Sequence, residues 1–473
     1  MDFAHSPKAQ ELSQRLDAFL HRYLLPYNPA WHRSVQQGIY PPPFLEDLKS
    51  LARDEGLWNL FLPGLKECEP GTRLSNLDYA PLAESMGRLP WAAEVFNCSA
   101  PDTGNIELLH RFATPGQRTQ WLTPLLEGTI RSAFAMSEPD VASSDPNNLQ
   151  TTVRRDGDDL VVSGRKWFIT GAAHPNCRLL IVMCSNIEKE QDAQEPGALP
   201  GAPERHHRHS LVLVPLDTPG VQVLRNIAVV HHHAPEGHCE ILLREVRVPA
   251  NSLLGGWGDG FAMAQARLGP GRIHHCMRTI GQCELALALA TERTLERQAF
   301  GKYLADYSNV QDWIAESRIE IDQARLLVLH AAWLLDQGIA ADLSATRAQI
   351  AAIKVVAARL QTRVVDRAMQ VFGAMGLSPD TPLAQFWTWG RALHLMDGPD
   401  EVHLRSVARH ELARARPHGR IKRLVHHARA NPGTAAHPVI SGCRHNRRHQ
   451  ALAKPRPEIM DRFSSLTASG HTP

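Results

Sequence analysis

The chain has 473 residues, of which 43% are hydrophobic, so it can bury a large core and fill roughly two to four globular domains. Its eight cysteines include no CxxC pair, which argues against a disulfide framework and against a cysteine-rich zinc site. The N-terminal residues lack the apolar core of a signal peptide, and no stretch is apolar enough to span a membrane. We therefore expect a cytoplasmic protein with reduced thiols.

Residues 1–130 are predicted to form an N-terminal helical domain. Apolar positions three and four apart mark helices over residues 10–25 and 43–57. From residue 131 to residue 250 the period changes to that of strands, which predicts a central β domain with strands at 160–169, 179–184, 210–215, 221–224 and 239–248. The polar stretch 185–209 between two of these strands is predicted to be a long surface loop.

Residues 251–413 show the period of long helices. One apolar stripe recurs every seven residues, at Ile314, Ile321, Val328 and Leu335. A second stripe consists of Ile350, Ile353, Ala357, Leu360, Val364, Ala368 and Val371. Such stripes are the packing faces of antiparallel helices, so a C-terminal helical bundle is predicted.

The last segment, residues 414–473, is a basic tail. It holds twelve Lys or Arg against two acids, Glu458 and Asp461, although the whole chain has a net charge of only +2. Its richness in Arg, His and Pro predicts little fixed structure. A tail of this charge could bind nucleic acid or an acidic surface, but Phe463 is its only aromatic residue, so platforms for base stacking are missing.

Common nucleotide and hydrolase motifs are absent from the sequence. GGWGDG at residues 255–260 leads into helical sequence without the acidic residue that binds a ribose, so a Rossmann nicotinamide site is not indicated. Neither GxxxxGK[ST] nor GxSxG occurs. Kinase, NTPase and serine-hydrolase functions therefore lose their usual support.

Five other motifs follow one another along the body of the chain. They are FAMSEPDVASSD from Phe134, GRKWFITGA from Gly164, RQAFGKYL from Arg297, QVFGAMG from Gln370 and DGPDEVH from Asp397. In kind and order they resemble the acyl-CoA dehydrogenase family over roughly residues 1–413. The resemblance implies an α+β fold with an N-terminal helical domain, a central β-sheet domain and a C-terminal four-helix bundle. It also implies FAD as cofactor and an acyl-CoA as substrate.

The resemblance implies which residues meet the cofactor and the substrate. Phe134, Met136, Ser137, Phe168 and Thr170 would face the flavin, with Phe168 in place of a common tryptophan. Ser143 or Ser144 would contact the CoA portion, and ASSD is one residue longer than the common GSD, so the choice between them stays open. Further positions are implied for substrate at Arg272 and Gly398 and for cofactor at Pro399 and Glu401.

A second group of cofactor residues is implied to act across a subunit boundary. Arg297 carries a planar fork that suits a pyrophosphate, and it forms a family signature with Phe300. Gln370, Gly373 and Ala374 resemble the segment that meets the adenine half of a neighbouring subunit's FAD. These residues imply a homodimer or homotetramer with a shared FAD site.

Asp397 is the predicted catalytic base. In the family a carboxylate removes the α proton of the thioester while the β hydrogen leaves as hydride to the flavin, and Asp397 aligns with that base, one methylene shorter than the usual glutamate. Some branches carry the base on an earlier helix, where this chain has Gly271. Asp400 and Glu401 follow the pair Gly398 and Pro399 and read as first-turn acids of a helix. Next to a flavin and a thioester, the buried carboxylate of Asp397 is expected to lose its hydration, which raises its pKa toward the working pH.

Several histidines lie close together in the sequence and could be taken for metal ligands. His206, His207, His209, His231 to His233 and His238 lack the spacing of a metal site, so no metal is predicted.

The stretch from Ala266 to Arg278, read ARLGPGRIHHCMR, resembles the branch of the family known as members ten and eleven, which suggests long-chain or substituted acyl groups as substrates. Electrons would pass to an electron-transfer flavoprotein. The alternatives are an acyl-CoA oxidase that uses oxygen and, from another class, a binding protein that acts through the basic tail.

Overall fold

A computed structural model describes residues 4–186, 208–338 and 343–415. Within these ranges helices come first, a sheet follows, and helices return after residue 259, so the predicted α+β order is confirmed. The basic tail and most of the predicted loop at 185–209 lie outside the described residues. Within the described part, no helix combines the length and apolar character that a bilayer span requires.

Short helices build the N-terminal part. Ser6 caps the first helix by accepting a hydrogen bond from the Ala9 amide (3.2 Å), and Pro7 occupies its first turn. The predicted helix over residues 10–25 is interrupted, because after Phe19 the backbone widens into a π turn that ends before Pro26. The helices are α1 Pro7–Phe19, α2 Asn28–Gln36, α3 Leu45–Asp54, α4 Asn76–Gly87, α5 Ala92–Val95, α6 Asp102–Phe112, α7 Pro115–Gln117 and α8 Thr123–Glu127.

One sheet of eight strands forms the centre. The strands are β1 Arg131–Ala135, β2 Thr152–Asp156, β3 Asp159–Thr170, β4 Cys177–Asn186, β5 His209–Pro215, β6 Val221–Asn226, β7 His238–Pro249 and β8 Leu253–Leu254. They lie in the order β6-β7-β3-β2-β4-β5-β8, and β1 pairs in parallel with β4. Strands β1, β2 and β8 were not predicted.

Strand β4 joins the two hydrophobic cores. Leu179, Ile181 and Met183 pack into the core shared with the helices, whereas Leu180 and Val182 pack into the core between the strands. Successive side chains of a strand point to opposite faces. The continuous apolar run of β4 is therefore explained by burial on both faces.

The C-terminal helices pack along the predicted stripes. Ile321 and Val328 of the first stripe and Ile353 and Leu360 of the second are buried. The helices are α9 Gly260–Glu296, α10 Ser308–Asp336, α11 Leu343–Phe372, α12 Leu383–Leu393 and α13 Asp400–Ala415. A small hairpin of β9 Gln298–Ala299 and β10 Lys302–Tyr303 separates α9 from α10.

Two glycines set the distance between α4 and α9. A Cβ at Gly281 of α9 would collide with the backbone carbonyl of Glu84, and a Cβ at Gly87 of α4 would collide with that of Arg278. The two backbones therefore approach more closely than any side chain permits. This crossing fixes α9 against the N-terminal part at the level of Arg278.

Gly281→Ala should destabilise the protein by about 1–3 kcal/mol, because the added methyl group has no space. The sign of the change in stability is diagnostic, since alanine in place of glycine inside a helix otherwise stabilises the protein by roughly 0.5–1 kcal/mol. Gly271→Ala in the same helix is the control, because its Cβ would meet no atom within 4 Å. Urea unfolding of both variants checks the prediction, and equal effects would contradict it.

Candidate active site

A deep cleft of about 2050 Å³ opens between the sheet and the helices. Its walls come from α4, α6, α9, α11 and α12, from the strands β1 and β3, and from the loop before α13. Many of the predicted site residues line it together, namely Phe134, Met136, Ser137, Ser143, Ser144, Phe168, Thr170, Arg272, Asp397, Gly398 and Pro399.

A buried ion pair holds the segment that follows β1. Lys166 is fully buried, and its Nζ donates to Glu138 Oε1 (2.9 Å) and to the carbonyls of Met136 (2.9 Å) and Met183 (2.7 Å). Glu138 also accepts from the amides of Gln150 (2.7 Å) and Thr151 (2.9 Å). Burial alone would raise the pKa of Glu138. Lys166 and these donors have the larger effect, so the pKa lies below its ordinary value and the carboxylate stays ionised. The backbone of residues 136–138 is thereby fixed at the cleft.

A bulge in β3 turns Phe168 toward the cleft. Pairing with β7 loses register between Lys166 and Ile169, and Phe168 has φ 52°. Its ring is 42% exposed and contacts Trp167, with ring centroids 4.9 Å apart. The bulge therefore sends Lys166 into the protein and presents a flat aromatic side chain on the cleft wall.

Thr170 forms a hydrogen bond with the imidazole of His238, since its Oγ1 lies 3.0 Å from Nδ1. Burial lowers the pKa of His238 to about 4, so the ring is neutral near pH 7. Its Nε2 is buried at the cleft and has no partner among the described residues. His238 also packs edge-on against Trp389 of α12, with ring centroids 5.4 Å apart. The β domain and the helical bundle therefore meet behind Thr170.

The two candidate serines differ in their contacts. Ser143 accepts a hydrogen bond from the Glu138 amide (2.8 Å) and lies 3.3 Å from its carbonyl, so its hydroxyl braces the turn. Ser144 is exposed where the same turn lines the cleft. Ser144 is therefore the serine that can reach a ligand without giving up a contact within the protein.

The loop that carries Asp397 connects α12 to α13 and is held at its backbone. The Asp397 carbonyl accepts from Arg272 Nε (3.0 Å) and from His403 Nε2 (3.1 Å). Asp397 has φ 51° and Gly398 has φ 101°. A Cβ at Gly398 would lie 2.9 Å from His403 Nε2, so glycine is needed there for both conformation and space.

Three further hydrogen bonds hold the two ends of this loop. Lys354, fully buried on α11, donates to the carbonyl of Leu393 at the end of α12. His394 Nδ1 lies 2.7 Å from Asp400 Oδ2, and the Asp400 amide donates to the His394 carbonyl (3.1 Å). Asp400 therefore does more than complement the dipole of α13, because it also ties the two ends of the loop together.

Fixed positive charges surround the carboxylate of Asp397, whose side chain is 26% exposed. Burial raises its pKa, but the contact with His275 and the charges of Arg272, Arg267 and Lys354 outweigh burial and lower the pKa below its ordinary value. The rise in pKa that is expected beside a bound flavin and thioester stays a prediction. The three permanent cations were not weighed from the sequence, because they lie far from Asp397 along the chain.

Arg267 is a site residue that the sequence did not single out. Its guanidinium lies over the ring of Phe134, 4.2 Å from the centroid, and its Nε donates to Asn105 Oδ1 (2.8 Å). Gly104 leaves the space that the side chain occupies, since a Cβ there would lie 3.1 Å from Cζ of Arg267. Arg267 therefore joins the wall at Phe134 to the charge of Asp397.

The remaining predicted cofactor residues do not line the cleft. Glu401 is exposed in the first turn of α13. Phe300 is fully exposed at the tip of the β9–β10 hairpin with φ 50°. The others are also exposed on the surface, namely Arg297, Gln370, Gly373 and Ala374.

No metal site emerges in the described residues. Within residues 4–186, 208–338 and 343–415, His, Cys, Asp and Glu side chains do not gather in threes as metal ligands. His206 and His207 lie outside the described residues, and His209 is buried at the start of β5.

Comparisons with known proteins cover the same three parts of the chain. The model of the acyl-CoA dehydrogenase N-terminal domain matches residues 6–129, that of the middle domain matches 133–246 and that of the C-terminal domain matches 258–412. A probable acyl-CoA dehydrogenase FadE2 from Mycobacterium tuberculosis is 51% identical over 419 residues, which is 88% of this chain and 98% of that relative.

Similar proteins also include a member of the branch predicted from the motifs. Mouse acyl-CoA dehydrogenase family member 10 is 47% identical over 414 residues, so 86% of this chain matches only 37% of that longer protein. A solved structure of a putative acyl-CoA dehydrogenase from Mycobacterium abscessus has a TM-score of 0.79 and 46% identity, covering 87% of this chain and 99% of that chain. The resemblance seen in the motifs is thereby confirmed.

Lys166→Met should lower the free energy of unfolding by about 3–5 kcal/mol, because Glu138 would keep a buried charge without its cation. The double variant Lys166→Met/Glu138→Gln should lose less, since it removes both charges and keeps an acceptor for the Gln150 and Thr151 amides. Chemical unfolding at pH 7 compares the two. A double variant at least as unstable as the single one would show that the ion pair is not what holds this segment.

Proposed function

The chain belongs to the acyl-CoA dehydrogenase family, and we propose on that premise that it oxidises an acyl-CoA thioester to the 2-enoyl-CoA with FAD as cofactor. The observation that supports this most strongly is the carboxylate of Asp397. It is kept ionised by its surroundings, it is open to the cleft, and Arg267 links it to the aromatic wall at Phe134. A base near pH 7 must be ionised before it can take a proton.

The residues of the cleft fit a flat aromatic cofactor. Phe168 presents a partly exposed ring, Ser137 lines the same cleft, and His238 leaves its buried Nε2 without a protein partner in the described ranges. A buried polar atom of this kind is expected to meet a ligand or water. Phe134, Met136, Ser137, Phe168 and Thr170 would hold the ring system, and Pro399 would border it.

The protein's part in the reaction is to take a proton and to hold the thioester. Asp397 removes the proton from the α carbon, and Arg272 and Gly398 lie beside it to position the acyl group. Bound FAD would accept the β hydrogen together with its electron pair. The carbon chain thus loses two hydrogens, and the α,β double bond forms as both C–H bonds break.

The CoA portion is proposed to contact Ser144. Its hydroxyl is exposed at the cleft, whereas that of Ser143 is engaged with the backbone of Glu138. Long-chain or substituted acyl groups are the proposed substrates. A series of acyl-CoAs that differ in length and branching, titrated anaerobically against the flavin absorbance, would rank them.

The electron acceptor is proposed to be an electron-transfer flavoprotein. An oxidase would instead reduce oxygen, so hydrogen peroxide formed in air during turnover would contradict this part of the proposal. The proposed location is the cytoplasm. Seven described cysteines are free and six of them are buried, in keeping with a reducing compartment.

Asp397→Asn should retain FAD but abolish reduction of the flavin by acyl-CoA, because an amide cannot accept the α proton. Asp397→Glu is the matched control and should keep measurable reduction, since a carboxylate returns with one more methylene. Bleaching of the flavin absorbance in an anaerobic stopped-flow experiment measures both. Equal bleaching in wild type and Asp397→Asn would reject Asp397 as the base, and a purified wild type that binds no FAD would reject the function.

The exposed cofactor residues support a site shared between subunits. Arg297, Phe300, Gln370, Gly373 and Ala374 are on the surface and outside the cleft of their own chain. An exposed phenylalanine at a hairpin tip buries nothing within its own protein, and apolar surface of this kind marks contacts with another molecule. We propose that they complete the FAD site of a second copy in a homodimer or homotetramer.

Arg297→Ala should weaken FAD binding roughly 10- to 100-fold, since a charged hydrogen bond contributes about 1.5–3 kcal/mol. Arg244→Ala, which removes an exposed arginine of β7, is the control and should leave affinity unchanged. FAD titration of the apoprotein, together with analytical ultracentrifugation, measures affinity and mass. Full affinity in Arg297→Ala, or a monomer that binds FAD as tightly as the wild type, would contradict the shared site.

A further inference from the structure

His275 of α9 faces the carboxylate of Asp397, and no step described above uses it. Its Nε2 lies 3.5 Å from Asp397 Oδ2. Its Nδ1 lies 3.2 Å from Nη2 of Arg278, one turn farther along the same helix. The imidazole therefore stands between a guanidinium and the proposed base.

Arg278 decides which ring nitrogen carries the proton. A guanidinium can only donate, so His275 Nδ1 must accept from it and has no hydrogen of its own. The single proton of the neutral ring then sits on Nε2 and points toward Asp397. A second proton on Nδ1 would break the bond to Arg278 and place two N–H groups against each other. Burial and the charge of Arg278 lower the pKa of His275 to about 4.

We propose that His275 is the positioning residue of the base: its Nε2–H holds Oδ2 of Asp397 and leaves Oδ1 to receive the α proton. The inference rests on the proposed function of Asp397. The distance of 3.5 Å is longer than a full hydrogen bond, and catalytic contacts of this kind commonly tighten in the complex with substrate. His275 does not relay the proton, because its other nitrogen is occupied by Arg278.

Other charged and titratable groups face the same pair from three helices. The permanent charges among them, those of Arg267, Arg272 and Lys354, act on Asp397 whether or not His275 is present, whereas the Nε2–H also sets the direction of the carboxylate. Removing it should therefore change both the rate and the pH dependence. The groups are Arg267, Arg272, Cys276 and Arg278 of α9, Lys354 of α11 and His403 of α13, with Tyr79 and Cys98 on the far side of Arg278.

The test is His275→Phe, which keeps a flat ring and removes the donor. The rate of anaerobic flavin reduction by acyl-CoA should fall about 10- to 100-fold, because a misdirected base is costly. The acid limb of its pH profile should move up by about one pH unit, since a carboxylate that loses a donor has a higher pKa. His275→Gln can donate from its amide nitrogen and should return both rate and acid limb toward the wild type.

His274→Phe is the matched control for packing. His274 is also buried, but its ring nitrogens have no hydrogen-bond partner among the described residues, and it packs on Tyr79 with ring centroids 4.9 Å apart. Its substitution should leave the acid limb in place. FAD content and melting temperature of each variant separate folding defects from a change at the base.

The outcomes distinguish this inference from the proposed function. A wild type whose flavin is never reduced by acyl-CoA would reject the function itself. An active wild type with the same acid limb in His275→Phe would overturn the role of His275 alone. If His275→Phe does not retain FAD, Arg278→Met provides a second test of the role of His275. It removes a charge that lowers the pKa of His275 and frees Nδ1 to take a proton, so the pKa of the ring should rise and alter the acid limb of the rate profile; an unchanged acid limb would overturn the inference.

Discussion

The site depends on one electrostatic constraint: Asp397 must stay ionised although protein surrounds it. Arg272 and Lys354 meet this constraint in two ways at once, since each lowers the pKa of the carboxyl and each also bonds a backbone carbonyl of the segment that carries it. Position and ionisation are thus set by the same side chains. A change in either cation would alter where the base lies and when it is charged, so the two effects cannot be separated by a single substitution.

Two residues at the cleft have a backbone conformation that costs stability. Phe168 and Asp397 both have φ near +50°, a region that non-glycine residues seldom adopt. Each is held there by contacts on either side: Lys166 and Thr170 flank the bulge of β3, and Arg272 and His403 hold the carbonyl of Asp397. Strain of this kind persists only when the surroundings determine it more than once.

Local sequence patterns and family motifs predicted most of the helices and strands and many residues of the cleft. The elements that were not predicted depend on contacts between distant parts of the chain. The strands β3 to β7 and the buried stripes of α10 and α11 follow from period, because burial of one face leaves a regular mark in the sequence. Strand β1 was missed because RSAFA is short and its pairing with β4 is parallel and distant. Phe134, Phe168 and Asp397, which the motifs singled out, line one cleft.

The positions of the cations around Asp397 were the feature of the site least open to prediction from the sequence. Lys354 interrupts the apolar stripe between Ile353 and Ala357, and a lysine within such a stripe could have signalled a buried cation with a specific partner. Arg267 gave no such signal, because its contacts with Phe134 and Asn105 join three separate elements. The lowered pKa of Asp397 follows from these contacts, so its sign could not be obtained from the chain order.

Helix α9 places Arg267, Gly271, His275 and Arg278 on one side of a single rod, about one turn apart, while Gly281 locks that rod against α4. Each residue of an α-helix turns the chain by about 100°. One inserted or deleted residue between Arg267 and Gly281 would therefore swing the cations out of the cleft, with every side chain unchanged. The length of this segment is therefore itself a functional parameter, because the number of residues before Gly281 sets which side chains of α9 face the cleft.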